Sequence, residues 1–293
     1  MVFSAHRFIA EPLTSPALGG IFQYQTRFLK NTNKEAVMEF SKGELKEMLK
    51  AAESAARYAA EEIILPRHQT TIAYFLKRDK SIATDIEISA EFAIREYLSG
   101  LFGEFGFWGE ELGAAGPQEI RWTIDPVDDT EFFVRKIPGW SIMIGFECEG
   151  EALLGAIYDP LAQKMLAAFK GGESLINGSP VWVSIEENLS NSFLLHYGIA
   201  EYEGDREFRG LLDAFSIKRG MGGYLATRWI SSGNADAGLF LGLGGEDIVP
   251  IQAFIRGANG KITDLRGNDK IGDGNIIVSN GLIHDQMLRI LNP

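Results

Sequence analysis

The sequence is poor in the side chains that most often carry covalent catalysis, with one cysteine and four histidines among 293 residues. A single cysteine excludes an intramolecular disulfide and a cysteine-based zinc site. Cys148 lies in an apolar, strand-like run, where a packed core thiol is expected. The histidines are scattered, and none stands beside a serine or cysteine motif. Histidine-based nucleophilic catalysis is therefore not expected.

Basic residues and long apolar runs are also scarce. The chain has 28 lysines and arginines against 40 aspartates and glutamates, which gives a formal net charge of −12. This balance argues against a broad surface for nucleic acid or anionic membranes, although metal ions can supply local positive charge to a phosphorylated substrate. No apolar stretch approaches the roughly 18 residues that a membrane-spanning helix needs. The cytoplasm is the expected location.

The order of helical and strand-like segments predicts two lobes behind an N-terminal extension over residues 1–40. Ser41 and Glu44 fit a capping box at the start of a helix. Successive strand-like runs then predict an α+β lobe over residues 41–186, with helices packed on a largely antiparallel sheet. Over residues 187–293 strands and helices alternate, which predicts a second lobe of the α/β class.

An apolar run in the first lobe ends in three carboxylates and a hydroxyl, at Asp125, Asp128, Asp129 and Thr130. Pro126 forces a turn between the first two acids. Carboxylates this close repel one another unless a cation lies between them. Mg²⁺ prefers oxygen ligands and is commonly shared with substrate phosphates, so a metal site is the leading interpretation. The alternative is a solvated acidic turn that caps a helix.

Further acidic elements stand at Asp85, in Gly109-Glu110-Glu111 and in Glu246-Asp247. Each alone would more often be a helix cap or a surface acid. Together with the acidic turn, and in this order and spacing, they resemble the inositol monophosphatase family. The resemblance covers the chain from about residue 42 to the end. That family lies within the Mg²⁺-dependent, lithium-sensitive phosphatases and is related to histidinol-phosphate phosphatase and fructose-1,6-bisphosphatase.

The resemblance implies a layered αβαβα sandwich of two lobes with the metal site between them, assembled as a homodimer. It implies a first Mg²⁺ on Glu110, Asp125 and the backbone carbonyl of Val127. A second Mg²⁺ would lie on Asp125, Asp128 and Asp247, and a third, weaker ion would use Glu110 with waters. Mn²⁺ is a substitute for Mg²⁺ in this reading, whereas Ca²⁺ or Li⁺ is inhibitory.

The same resemblance implies hydrolysis of a small phosphate monoester, such as an inositol phosphate, histidinol phosphate or a sugar phosphate, by a metal-activated water. Thr130, oriented by Asp85, would position that water together with Glu110. The phosphate would rest on the backbone amides of Asp129 and Thr130. Two ions in such a site can clamp the attacking and leaving oxygens of an in-line transfer.

The chain departs from the family pattern at several positions. Asp129 replaces a glycine, and its carboxylate would repel the incoming phosphate if it points inward, which predicts weakened phosphatase activity. Glu246 replaces a tryptophan. Phe240 matches a hydroxyl-binding glutamate, so it is either a substrate-binding residue of changed preference or a core residue. The leaving-group pocket is expected at Gly222, Gly223 and Tyr224.

These departures leave two alternatives to a simple monoester phosphatase. The first is a phosphatase for nucleotide or sugar bisphosphates. The second is a catalytically weak relative that binds metal and ligand for regulation.

Overall fold

The computed structural model describes residues 38–77, 81–199, 204–272 and 274–293. Phe40–Pro293 form one compact unit, so the division of the chain at residue 187 stays a prediction. The predicted extension over residues 1–40 lies almost entirely outside the described residues. None of the described helices is long and apolar enough to cross a membrane.

Local side-chain caps fix where the first long helix and the third helix begin. The Ser41 Oγ accepts from the backbone N–H of Glu44 over 3.2 Å, and the Glu44 carboxylate accepts from the backbone N–H of Ser41 over 2.8 Å. The predicted capping box is therefore confirmed. Thr84 and Glu87 form a second capping box. The helices are α1 Lys42–Ala59 (continued by a π-helical turn, Ala60–Ile64), α2 Leu65–His68, α3 Asp85–Ser99, α4 Thr130–Val134, α5 Arg206–Ala214, α6 Gly223–Ser231, α7 Gly245–Gly257 and α8 His284–Leu291.

A short hairpin and a large sheet make up the β-structure of the first half of the chain. The hairpin pairs β1 Phe75–Leu76 with β2 Ile82–Ala83. The sheet has eight strands in the order β10-β9-β8-β7-β6-β5-β3-β4, and all its pairs are antiparallel except β3 with β5. Its strands are β3 Gly106–Gly109, β4 Gly113–Ala115, β5 Ile120–Asp128, β6 Ser141–Cys148, β7 Glu151–Asp159, β8 Lys164–Phe169, β9 Leu175–Ile176 and β10 Ser179–Pro180.

A second, five-stranded sheet follows, in the order β12-β11-β13-β15-β14. β11 pairs in parallel with β12 and β13, whereas β15 is antiparallel to β13 and β14. Its strands are β11 Phe193–Tyr197, β12 Ile217–Gly220, β13 Ala237–Phe240, β14 Lys261–Asp264 and β15 Ile276–Ser279.

Helices cover both faces of these sheets, so the predicted αβαβα layering is confirmed. α1 and α3 pack on one face of the first sheet, α6 and α7 lie in the middle layer, and α5 and α8 cover the outer face of the second sheet. Close approach in the middle layer explains two glycines. A Cβ on Gly155 would lie 2.6 Å from the backbone of Pro250, and one on Gly145 would lie 2.6 Å from Val249.

The strand that carries the acidic turn contains a bulge at its carboxyl end. Asp125 pairs with Met143, but Asp128 pairs with Ser141, so β5 holds one more residue than β6 between these pairs. Successive strand side chains alternate between faces, and an extra residue shifts that alternation. The bulge therefore brings Asp125 and Asp128, three residues apart, toward the same side of the sheet.

Candidate active site

Three carboxylates meet where the carboxyl end of β5 faces the first turn of α7. One carboxylate oxygen from each of Asp125, Asp128 and Asp247 lies within 4.8 Å of the others. Asp125 is only 4% exposed. A solvated turn that merely caps a helix is therefore excluded, because water does not screen this carboxylate. The three residues were all predicted from the sequence as metal ligands.

Backbone amides hold one oxygen of each of these carboxylates in place. Asp125 accepts from the N–H of Val127 over 2.8 Å, Asp128 from the N–H of Tyr224 over 2.9 Å, and Asp247 from the N–H of Gly244 over 3.2 Å.

The other carboxylate oxygen of Asp247 differs from the one that accepts from Gly244. Its Oδ1 is buried and has no hydrogen-bond partner among the described residues. A buried anionic oxygen without a partner is strongly unfavourable. A cation bound between the three acids satisfies it, so the donor set fits a hard divalent ion such as Mg²⁺.

The electrostatics of the cluster point the same way. Burial, followed by the charges of Glu110 and Asp247, raises the pKa of Asp125 well above its usual range. Burial and the neighbouring carboxylate of Asp129 raise the pKa of Asp128. For Asp247, burial and then Glu246 raise the pKa to about 7. Mutual repulsion of this kind is relieved when a metal ion sits between the acids.

Glu110 borders the same cavity but stands outside the three-acid cluster. Its carboxylate accepts a hydrogen bond from the Lys77 ammonium over 2.8 Å, and the same ammonium lies 2.6 Å from Glu111. Lys77, which ends the first arm of the β1–β2 hairpin, is a site residue that sequence reasoning missed. No local motif marks it. Glu110 as a metal ligand and water-positioning residue stays a prediction.

The loop that carries Glu110 is anchored from α3. The carboxylate of Glu91 is buried and accepts from the N–H groups of Glu111 and Leu112 over 2.7 and 3.1 Å. Arg95, one turn further along the helix, pairs with Glu91 over 2.5 Å. This buried pair fixes the strand end next to Glu110.

Thr130 is oriented by Glu87 and not by Asp85, so that part of the prediction is wrong. The Thr130 hydroxyl donates to Glu87 Oε1 over 2.7 Å, and Glu87 Oε2 accepts from the backbone N–H of Thr84 over 2.6 Å. Asp85 is the first residue of α3, and its side chain is 81% exposed. The capping pattern Thr84-x-x-Glu87 was the available signal, because it turns the Glu87 side chain back toward the helix start.

Asp129 occupies a backbone conformation that suits glycine. Its φ is 65°, in the left-handed region, immediately before α4. Non-glycine residues are uncommon there, although aspartate is tolerated more often than most. The Asp129 side chain borders the cavity, and burial followed by Glu131 raises its pKa to about 6.

Gly223, predicted to line the leaving-group pocket, lies against two carboxylates. Its φ is 55°, and a Cβ there would lie 2.5 Å from an oxygen of Asp128 and 2.7 Å from one of Asp129. A larger residue would displace both acids. Gly222 stands just outside the cavity lining, under the ring of Tyr197.

The structure contradicts the substrate-binding roles predicted for two aromatic residues. Phe240 is 2% exposed and belongs to the core between the two sheets. Tyr224 is 1% exposed, and its hydroxyl donates to the carboxylate of Asp159. β13 and α6 pack against other elements of the core on the sides that carry these two rings, so both side chains are buried there. Tyr197, which is 48% exposed, supplies the aromatic surface of the cavity instead.

The cavity around these residues has a volume of about 480 Å³. Seven carboxylates and one ammonium are among the described residues that line it. The charged residues are Lys77, Glu110, Asp125, Asp128, Asp129, Glu131, Glu246 and Asp247.

Comparisons with known proteins agree with this geometry. The sequence profile of the inositol monophosphatase family matches residues 44–292. A histidinol-phosphatase of Chlorobaculum parvum is 31% identical over 71% of this chain and 82% of its own length. Inositol monophosphatase 1 of Solanum lycopersicum is 27% identical over 78% of this chain and 88% of its own length. The solved structure of an inositol monophosphatase from Anabaena has a TM-score of 0.73 at 26% identity, covering 84% of this chain and 96% of that one. The chain belongs to the inositol monophosphatase family and is a phosphoric monoester hydrolase.

Proposed function

We propose that this protein hydrolyses a small phosphate monoester with Mg²⁺ held by Asp125, Asp128 and Asp247. The observation that carries the proposal is the approach of these three carboxylates within 4.8 Å, with one buried oxygen left unpaired. Glu110 and the carbonyl of Val127 complete the proposed ligand set. Mg²⁺ in such a site supplies Lewis-acid stabilisation and lowers the pKa of water.

The residues around the acids have proposed roles in the same reaction. The Thr130 hydroxyl donates its hydrogen bond to Glu87, so the lone pairs of the hydroxyl oxygen can accept a hydrogen bond from the attacking water. Glu87 and Thr84 thereby fix the direction of that water. The N–H groups of Asp129 and Thr130 are the proposed phosphate contacts, as predicted from the resemblance.

The charge on the cavity lining bears on the leaving group. Two divalent ions together with Lys77 do not balance the seven carboxylates, and the third, weaker ion would only just balance them before a phosphate enters. A leaving group with an ammonium relieves this excess, whereas a second phosphate increases it. The exposed ring of Tyr197 offers the ammonium of such a leaving group a further, cation–π contact. We therefore favour an amine-bearing monoester over a bisphosphate. Histidinol phosphate, whose alcohol is named in the Chlorobaculum parvum relative, carries such an amine.

Phosphate release from a panel of monoesters tests both levels of the proposal. Hydrolysis that needs Mg²⁺, accepts Mn²⁺ and is inhibited by Li⁺ or Ca²⁺ is expected. Metal binding without turnover on any substrate would support the regulatory alternative instead. Within the panel, 2-aminoethyl phosphate and 2-hydroxyethyl phosphate form a matched pair, and histidinol phosphate and inositol 1-phosphate form a second. A higher kcat/KM for both neutral members, or for a sugar bisphosphate, would contradict the ammonium preference.

Homodimer assembly and a cytoplasmic location stay predictions.

A further inference from the structure

A second cavity borders the catalytic one at Leu243 and the start of α7. Its volume is about 560 Å³. Strands β3, β5 and β6 form one wall, the start of α7 forms another, and the segment around Lys270 closes the side. Among the described lining residues, Leu243 is the one that the two cavities share. None of the residues assigned to catalysis or metal binding lines it.

The wall formed by the strands presents a stacked aromatic and cationic pair. The indole of Trp108 is 38% exposed, and the Arg121 guanidinium carbon lies 3.9 Å from its ring centroid. Arg121 is held in place, because its Nε donates to Glu147 over 2.6 Å and its Nη1 donates to Gln118 over 3.0 Å. Part of the indole surface is thus open to solvent beside a fixed guanidinium, an arrangement that suits a flat ligand.

The opposite side of the cavity adds a second positive charge. The Lys270 side chain lies near Gly150, and its ammonium has no hydrogen-bond or ion-pair partner among the described residues. Glu147, the one carboxylate among the lining residues that the structure describes, is already paired with Arg121. The described part of the lining therefore carries more positive than negative charge, in a chain whose net charge is −12. Its sign is opposite to that of the catalytic cavity.

We infer that this second cavity is a binding site for a flat aromatic ring that carries an anionic group. Trp108 contacts the ring, and Lys270 and Arg121 face the anion. Stacking on the indole and a charge-assisted contact with Lys270 act together, so a ring without an anion, or an anion without a ring, binds much less tightly. The site is separate from the proposed phosphatase chemistry and does not depend on metal ions.

Isothermal titration of the full chain with naphthalene-2-sulfonate tests this site without any phosphoryl group. The protein is first freed of divalent metals. Saturable binding of one molecule per chain is expected. 2-Naphthol, which lacks the anion, and methanesulfonate, which lacks the ring, are each expected to bind at least about tenfold less tightly. Equal affinity for all three probes, or no saturable binding of the sulfonate, would refute the proposed site.

Variants place the probe in one cavity or the other. Lys270→Gln and Trp108→Ala are each expected to weaken the binding of naphthalene-2-sulfonate by about tenfold or more. Lys50→Gln, a matched change on the surface of α1, and Asp247→Asn in the catalytic cavity are expected to leave it unchanged. Unchanged binding in Lys270→Gln, or loss of binding in Asp247→Asn, would overturn the assignment.

A second measurement covers the case in which Trp108→Ala fails to fold. In a chain labelled with ¹⁵N at its tryptophans, the probe is expected to shift the indole signal that is missing from the spectrum of Trp108→Phe. Shifts confined to the other indole signals would contradict the site.

Discussion

The hydroxyl of Thr130 donates to the carboxylate of Glu87, which in turn caps α3 through the backbone of Thr84. One glutamate thus joins the start of a helix to the residue proposed to direct the attacking water. Burial raises the pKa of Glu87 to about 7, and the hydrogen bonds from Thr84 and Thr130 oppose that rise.

The first prediction separates Glu87 from Asp85. Glu87→Gln leaves one acceptor oxygen where Glu87 uses two, so the side chain can no longer accept from both the Thr84 N–H and the Thr130 hydroxyl. The direction of that hydroxyl is then no longer fixed, and kcat is expected to fall roughly 100-fold with a smaller change in KM. Asp85→Asn, two residues away on the same helical turn, is expected to leave kcat unchanged. Steady-state kinetics on the best substrate of the panel measure both. Equal losses in the two variants would contradict the assignment of Glu87.

A second prediction concerns Gly223. Gly223→Ala is expected to lower activity by about 100-fold or more, because its Cβ would lie 2.5 Å from an oxygen of Asp128 and displace a proposed metal ligand. Gly178→Ala is the matched control, since Gly178 also has a positive φ but a Cβ there meets nothing within 4 Å. That control is expected to lose about 1 kcal/mol of unfolding free energy and keep its activity. Similar kinetics in the two variants would show that backbone strain alone governs the effect.

Asp129 is the subject of a third prediction. Asp129→Gly removes a carboxylate from the cavity and relieves the positive φ, so kcat/KM for a neutral polyol phosphate is expected to rise several-fold, roughly threefold or more. The preference for an amine-bearing substrate is expected to shrink in the same variant. Asn259→Gly, which has the same φ of 65° far from the cavity, controls for the backbone change. No gain in Asp129→Gly would mean that this carboxylate does not oppose the phosphate.

Metal binding and stability are coupled in a fourth prediction. Saturating Mg²⁺ at about 100 times its dissociation constant is expected to raise the free energy of unfolding by about 3 kcal/mol. Asp247→Asn is expected to abolish most of that gain, yet to stabilise the metal-free protein, because it removes one of the repelling charges. Asp213→Asn, an exposed acid on α5, is expected to change neither value. Thermal melting with and without Mg²⁺ measures all three, and an unaltered Mg²⁺ response in Asp247→Asn would contradict the proposed ligand.

Two of the three proposed metal ligands, Asp125 and Asp128, were predictable because the information is local. Asp125 and Asp128 end an apolar strand and Thr130 follows it directly, so these groups lie near one end of the strand, and the bulge brings the two acids toward one side. The layered architecture was predictable for a similar reason, since the order of strands and helices limits the ways in which their apolar faces can be covered. Asp247 came only from the resemblance to the family, because an acid at the start of an apolar helix is by itself more often a helix cap.

Other features depend on contacts that sequence patterns do not carry. Phe240 stands two residues before Gly242, which lines the catalytic cavity, but its burial depends on the core between the two sheets. Lys77 reaches Glu110 from a hairpin 33 residues earlier, and nothing in its own neighbourhood marks that contact. Asp85 and Glu87 stand on the same helical turn, and only the cap at Thr84 decides which of the two turns inward.

The last prediction is a pH dependence that arises far from the metal site. His284 is fully buried between the hydroxyls of Thr263 and Ser279, each 2.9 Å from a ring nitrogen. Burial, and to a lesser degree the charge of Lys261, lowers its pKa from 6.5 to about 4. Between these values the unfolded chain takes up a proton that the folded protein does not. This group therefore stabilises the fold fully above pH 6.5, and its contribution is lost as the pH falls toward 4, by up to about 3 kcal/mol.

His284→Gln retains hydrogen-bonding groups but does not titrate, so its unfolding free energy is expected to fall less than that of the native chain between pH 7 and pH 4.5. The carboxylates titrate in both proteins, so the difference between their urea-unfolding curves isolates the histidine, and parallel pH profiles would show that His284 is not neutral in the fold.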